Sequence, residues 1–248
     1  MEFPPLVPRP IAGRVFATAR RVRLGDVTGS GRLRLDAAVR YLQDVANDDG
    51  RDAQMEDLHG WVVRRTSFEI ESFPRYLEML NIETWCSGVG SHWAERRTTL
   101  VSESGQRVEA AALWVHVDLK SMWPKPLTDN FHSLVAEATA GRKVGSRHIL
   151  REKPVDGDPS INWQLRSTDF DALDHVNNAA YWEAVEEIVK AHGGMKAPVK
   201  LVLEHHDAIE RGEEVTITWR MHADEITIWH VVNGERIAAV SRVKLLGR

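Results

Sequence analysis

Apolar residues recur with helical spacing in two stretches of the chain and in extended patterns through much of the rest. From Leu35 to Asp48 (LDAAVRYLQDVAND) they fall at 35, 38, 39, 42, 45 and 46, one face of a helix with the charges opposite. Asp49-Gly50 offers that helix a C-terminal stop. The same spacing returns at Ala180, Tyr181, Ala184, Val185, Ile188 and Val189, ahead of a break at Gly193-Gly194, and this second helix is expected to begin near Asn177 or Asn178. Extended candidates surround both helices. A strand at 14–24 runs into the glycine-rich turn GDVTGSG, and 61–73, 80–102 and 106–119 follow the first helix. A strand at 160–168 precedes the second helix, and 199–206, 214–221, 224–233 and 235–246 follow it.

The two halves therefore read alike: strand, helix, several strands. EEVTITW, ending at Trp219, echoes EMLNIETW, ending at Trp85, 134 positions earlier; GERIAAVSRVKL from Gly234 echoes GQRVEAAALWVHV from Gly105, 129 positions earlier. Echoes in the same order point to an internal duplication. A long helix and an antiparallel sheet bury their apolar faces most simply against each other, which predicts an α+β chain of two such units. The expected units are residues 12–135 and 146–248. Between them, residues 124–158 carry WPKPLTDNF, a short helical stretch (FHSLVAEATAG) and the polar run PVDGDP.

Composition adds limits to this picture. The 248 residues are 43% hydrophobic and 27% charged, enough to build a core, and the net charge of -4 gives no global reason to bind nucleic acid. The single cysteine, Cys86, excludes an intramolecular disulfide framework and fits a reducing compartment. MEFPPLVPRPIAGR is proline-rich and has no long apolar stretch, so it resembles neither a signal peptide nor a membrane anchor; a cytoplasmic protein with no membrane span is expected. Nine tryptophans stand against three tyrosines, material for sheet faces and for the walls of an apolar pocket.

The densest chemistry lies at 169–187, DFDALDHVNNAAYWEAVEE, where three aspartates, a histidine and two asparagines precede a helix that otherwise reads as core. A helix start there would present unpaired N–H groups and a positive dipole end to the polar cluster, a suitable place to hold an oxyanion. An acidic cap for the helix is the simpler reading of the same residues. The string D-F-D-A-L-D-H-V-N-N-A-A-Y at 169–181 resembles the active-site segment of hotdog-fold thioesterases. YLQDVAND, WVVRRTSFEI, ETWCSGVGSHWAERR and WVHVDLKSMWPKP, with the doubled architecture, are similar to the plant and bacterial acyl-ACP thioesterase family. What the resemblance implies is a tandem (double) hotdog that hydrolyses fatty acyl-ACP to free fatty acid and acyl carrier protein, without cofactor or metal. It implies that Asp171 is the catalytic carboxylate and His175 its partner, while Asp169 orients the turn and Asn177 and Asn178 cap the helix and brace the loop. The first unit would bind the acyl chain. A monomer or a homodimer of tandems is expected, since a tandem already pairs two units.

The chain departs from the family pattern at two places. Leu173 stands where the family has an asparagine, and the family's additional glutamate aligns near Ala208, with Asp207 one residue away. These departures keep an acyl-CoA thioesterase and a non-catalytic acyl-binding protein in view; a dehydratase-type hotdog fits H-V-N-N after D-x-D less well. The arginine groups Arg20-Arg21-Arg23, Arg64-Arg65 and Arg96-Arg97 are either solvated strand edges or a dock for an acidic carrier. His205-His206-Asp207 is a poor metal motif, because neighbours on a strand point to opposite faces. Cys86 reads as packing rather than as a nucleophile.

Overall fold

The computed structural model describes residues 3–55 and 60–246. Its strands are β1 (Phe16–Arg21), β2 (Trp61–Ile70), β3 (Met79–Val89), β4 (Trp93–Ser102), β5 (Arg107–His116), β6 (Ser160–Trp163), β7 (Val199–His205), β8 (Val215–His222), β9 (Glu225–Val232) and β10 (Arg236–Leu245). All ten join one antiparallel sheet in the order β1-β3-β4-β5-β2-β7-β10-β9-β8-β6. The helices are α1 (Leu35–Asp52), α2 (Asp129–Thr139) and α3 (Tyr181–Ala191).

Read outward from β2 and β7, the strand order is the same on both sides, so the duplication is visible in space. β2 and β7 pair antiparallel with Ser67 opposite Val202, Thr66 opposite Leu203 and Phe68 opposite Leu201. That register is its own image under a twofold axis between Ser67 and Val202. Equivalent elements that lie across the sheet on either side of such an axis, α1 and α3 among them, are required by it to run antiparallel to each other.

One apolar cluster spans the seam. It joins Leu35, Val39, Leu42 and Val45 of α1, Trp182, Val185, Ile188 and Val189 of α3, and inward-facing residues of both halves of the sheet. Phe68 of β2 meets Trp182 of α3 edge-on, ring centroids 5.2 Å apart, with both side chains buried. The opposite face of the sheet is covered near the seam by the connector: Leu150 packs with Val202, Trp229 and Val240, and Glu204 accepts the Ile149 and Leu150 N–H groups at 2.9 and 2.8 Å.

Three expectations from sequence are corrected. α1 does not stop at Asp49-Gly50 but continues to Asp52, with Gly50 buried inside it. α3 begins at Tyr181, not at Asn177 or Asn178, because residues 178–180 form a turn first. The extended stretch 80–102 is two strands that reverse at Gly90, whose N–H reaches the Trp93 carbonyl at 2.8 Å. A Cβ on Gly90 would lie 2.1 Å from the Trp93 ring, so the reversal needs glycine.

Behind α3, the buried Tyr181 ring packs against His205 (centroids 4.7 Å) and His230 (5.1 Å). Burial, with the neighbouring His230, His206 and Arg64, lowers the His205 pKa to about 3, and burial lowers that of His230 to about 4. The unfolded chain therefore binds protons that the folded chain refuses below the ordinary histidine value of 6.5. Their contribution to stability is fully present above that value and is lost as pH falls through the window to about 4, at about 1.4 kcal/mol per pH unit for each proton taken up.

Two predictions follow from the seam and this pair. Phe68→Ala should cost about 3–5 kcal/mol, and because the core is shared, urea unfolding followed by tryptophan fluorescence and by circular dichroism should remain one coincident transition; loss of one half before the other would contradict a common core. The urea midpoint should fall between pH 7 and pH 5, with a shallower fall in His230→Leu; an unchanged slope in that variant would remove His230 from the linkage.

Candidate active site

The polar segment folds as a tight loop between β6 and α3, held first by its own backbone. A 3-10 turn, Ser167–Asp169, is closed by the Arg166 N–H on Asp169 Oδ2 at 2.8 Å and by Arg166 Nε on Oδ1 at 2.9 Å. Phe170 and Val176 then bridge, the Asp171 N–H donates to the His175 carbonyl (3.0 Å), and the Asp174 N–H donates to the Asp171 carbonyl (3.0 Å). Asp174 takes φ of 59°, a conformation that aspartate tolerates better than most residues. Arg211 pins it, donating from Nη2 at 2.7 Å and Nε at 3.0 Å, and stands 4.3 Å from the Phe170 ring centroid. That guanidinium holds the Asp174 carboxyl below its ordinary pKa.

All five candidate residues lie in this loop, in different situations. Asp169 is buried and occupied: besides Arg166, its carbonyl accepts the Asn177 N–H at 2.8 Å. Asp171 is half-buried, with Oδ1 receiving the Leu173 N–H at 2.9 Å and Oδ2 facing Asn177 Nδ2 at 3.5 Å. His175 is also half-buried. Asn177 Oδ1 accepts the Ala179 N–H at 2.9 Å and its carbonyl accepts the Ala180 N–H at 2.9 Å, so it caps the turn leading into α3. Among the described residues the Asn178 N–H makes no hydrogen bond within the protein, which leaves an open donor in the turn that follows Asp171 and His175.

Leu173 has an exposed side chain, and what it brings to Asp171 is its backbone N–H. Of the two residues near the aligned glutamate position, Asp207 is paired with Arg236 at 2.8 Å and Ala208 carries no acid. The acidic residue brought alongside is Glu210, which forms a backbone bridge with His175, while Ile209 accepts the Val176 N–H at 3.1 Å. Glu210 and Arg211 were not found from sequence. They lie in AIERGEE, an ordinary charged turn until β7 delivers it to the loop.

A small cleft of about 90 Å³ opens in the first half, between α1 and the sheet, lined by Ala46, Gly50, Met55, Trp61, Trp114 and Phe131 among others. Trp61 and Phe131 pack with their rings tilted, 5.3 Å between centroids. Arg65 pairs with Glu204, so Trp61, four residues earlier on β2, lies toward the Ile209 end of β7. The aromatic wall and the Asp171–His175 loop thus occupy the same end of the central strand pair. Cys86 also lines the cleft, but burial raises its thiol pKa to about 11, which disfavours the thiolate.

The arginine groups are mostly committed inside the protein. Arg65 pairs with Glu204 (3.0 Å), Arg96 with Asp49 (2.5 Å) and Arg97 with Glu109 (2.6 Å), and Arg97 is buried, so Arg64-Arg65 and Arg96-Arg97 are not free edges for a carrier. Arg20 pairs with Asp44. One trio of metal-ligating groups exists among the described residues: His148, Glu204 and His206, ligand atoms within 4.8 Å of one another. Here Glu204 already holds Arg65 and two N–H groups, and Arg64, Arg65 and Arg151 oppose positive charge on His148, so the donor set does not suit a cation.

The chain matches the family models for the acyl-ACP thioesterase N-terminal domain over residues 13–135 and the acyl-ACP thioesterase C-terminal domain over residues 152–244. It is 31% identical over 242 residues to an uncharacterized protein of Mycobacterium tuberculosis, covering 97% of this chain and 96% of that one. Its fold is similar to an acyl-ACP thioesterase from Bacteroides thetaiotaomicron (TM-score 0.78, 17% identity, 93% of this chain and 97% of that one). It is also similar to a 12:0-ACP thioesterase from Umbellularia californica (TM-score 0.75, 15% identity, 94% and 98%). With both family models in chain order over an α+β fold of hotdog type, the chain belongs to the acyl-ACP thioesterase family and is a thioester hydrolase.

Proposed function

We propose that the chain is a tandem hotdog in which residues 12–135 hold the acyl chain and residues 146–248 carry the catalytic segment, 169–187. The substrate is a fatty acyl group on the phosphopantetheine of acyl carrier protein, and the products are free fatty acid and the carrier thiol. Asp171 acts as general base toward water: as the water oxygen bonds the carbonyl carbon, its proton passes to the carboxylate and the carbonyl electron pair becomes an oxyanion. The Asn178 N–H receives that oxyanion. Collapse breaks the C–S bond, and the thiolate leaves with a proton relayed through His175. The observation that carries this reading is the joining of Asp171 to His175 through one backbone hydrogen bond of 3.0 Å, ahead of an open N–H at Asn178, with the apolar cleft toward the same end of the central strand pair. No helix of the described residues is long and apolar enough to cross a membrane, and the proposed setting is the cytoplasm, in fatty acid biosynthesis.

Thiol release from acyl-ACPs of graded length tests the reading. Asp171→Asn and His175→Ala should each lower kcat by about 10²–10⁴-fold at unchanged thermal stability; a full rate in Asp171→Ala would leave a non-catalytic acyl-binding protein. Faster release from acyl-CoA than from acyl-ACP would instead favour the coenzyme A ester as substrate. Ala46→Phe, which narrows the cleft, should raise KM for long acyl chains and shift preference to shorter ones; an unchanged chain-length profile would place the acyl group elsewhere.

A further inference from the structure

The loop of the first half repeats that of the second, bond for bond. Arg34 N–H to Asp26 carbonyl, Thr28 N–H to Arg32 carbonyl and Gly31 N–H to Thr28 carbonyl match Asn177 to Asp169, Asp171 to His175 and Asp174 to Asp171. The bridge Val27–Leu33 matches Phe170–Val176, and the 3-10 turn Leu24–Asp26 matches Ser167–Asp169. Thr28 therefore stands at the place of Asp171, Arg32 at that of His175 and Leu35 at that of Asn178. The same correspondence continues into the helices, where buried Val39, Leu42 and Val45 match buried Trp182, Val185 and Ile188.

In the first half this position is filled. Glu186 reaches across from α3, buried, with Oε1 on Arg32 Nη2 at 2.6 Å and Oε2 on the Leu35 N–H at 2.9 Å. The backbone N–H at the start of α1 is thus a working anion donor, and a carboxylate from the opposite helix satisfies it. The twofold carries Glu186 onto Gln43, Leu35 onto Asn178 and Arg32 onto His175. The helices agree: from the Leu35–Glu186 contact, eight residues forward on α1 reach Gln43 and eight back along the antiparallel chain reach Asn178, about 12 Å in each case. Gln43 lies on the stripe of α1 that continues through Ala46, Asn47 and Gly50 into the cleft.

We infer that Gln43, from the acyl-binding half, is the second oxyanion donor of the active site in the other half. The inference rests on the proposed thioesterase mechanism and adds a residue to it. A glutamate at 43 would occupy the Asn178 N–H and repel the developing negative charge, as Glu186 fills its counterpart. The neutral amide leaves that N–H open and adds Nε2–H beside it. When water bonds the thioester carbon, the carbonyl electron pair moves onto oxygen and is held by these two donors until the C–S bond breaks and the pair leaves on sulfur.

Gln43→Ala and Gln43→Glu should be compared with the native chain and with Asp171→Asn for acyl-ACP turnover and for binding of an acyl-pantetheine trifluoromethyl ketone, which adds water to form a tetrahedral adduct. Loss of one donor should lower kcat by about 10²–10³-fold in Gln43→Ala, with KM within about threefold and a comparable loss of ketone affinity. Gln43→Glu should be worse at pH 8 and partly recover as pH falls and its carboxyl is protonated. Thermal unfolding of each variant separates these effects from misfolding. Native-like kcat and ketone affinity in Gln43→Ala would overturn the inference while leaving an Asp171-dependent thioesterase intact. A native chain without Asp171-dependent release would defeat the mechanism itself, and the ketone arm would still decide whether Gln43 holds a tetrahedral adduct.

Discussion

The hydrogen bonding of β2 to β7 is the constraint on which the rest of the molecule depends. Each half alone would end in an open strand edge and a helix with its flank exposed. Pairing these two strands in a self-symmetric register removes both edges, makes a single ten-stranded sheet, and lays α1 and α3 side by side over one core. It also fixes where chemistry can occur. The Trp61 end of one strand and the Ile209 end of the other are brought together, so a cleft built by the first half and a loop built by the second lie toward the same end of the central strand pair.

Symmetry of backbone and asymmetry of side chain then divide the labour. Both loops need the left-handed conformation at one position, met by Gly31 in the first and Asp174 in the second. Glycine needs no support there; aspartate receives it from Arg211. The first loop spends its polar groups on structure, with Arg32 and the Leu35 N–H both satisfied by Glu186 across the seam. The second keeps Asp171 and His175 half-buried and leaves the Asn178 N–H open. An anion donor left without a partner inside the protein is a cost to the fold to the extent that it is shielded from water. In an enzyme that cost is reasonable where the anion arrives with the transition state.

Much of the architecture is legible in the sequence because it is periodic. Apolar positions from Leu35 and from Ala180 announce both helices, and the paired echoes around Trp85 and Trp219 announce the duplication. Boundaries were less legible, for local physical reasons. Gly50 does not stop α1, because Arg14 and Arg96 engage the neighbouring Asp49 and the helix remains packed through Gly50. α3 starts late because Asn177 spends its capping oxygen on the preceding turn. The loop's residue types stand out in the chain, whereas Glu210, Arg211 and Gln43 do not. They reach the loop through strand pairing and helix packing, over separations that no local pattern records.

Leu173 shows why substitution within a motif need not remove its geometry. A side-chain amide at that position could add donors toward the carboxylate; leucine cannot. Yet the hydrogen bond holding Asp171 Oδ1 comes from the Leu173 main chain, and it forms because Asp171 and His175 close the loop around that residue. Any residue except proline supplies the same N–H. The side chain points to solvent, so its chemistry is free to vary while the carboxylate keeps its orientation. What leucine removes is a polar side chain from the exposed surface of the loop, while the main-chain donor to Asp171 is kept.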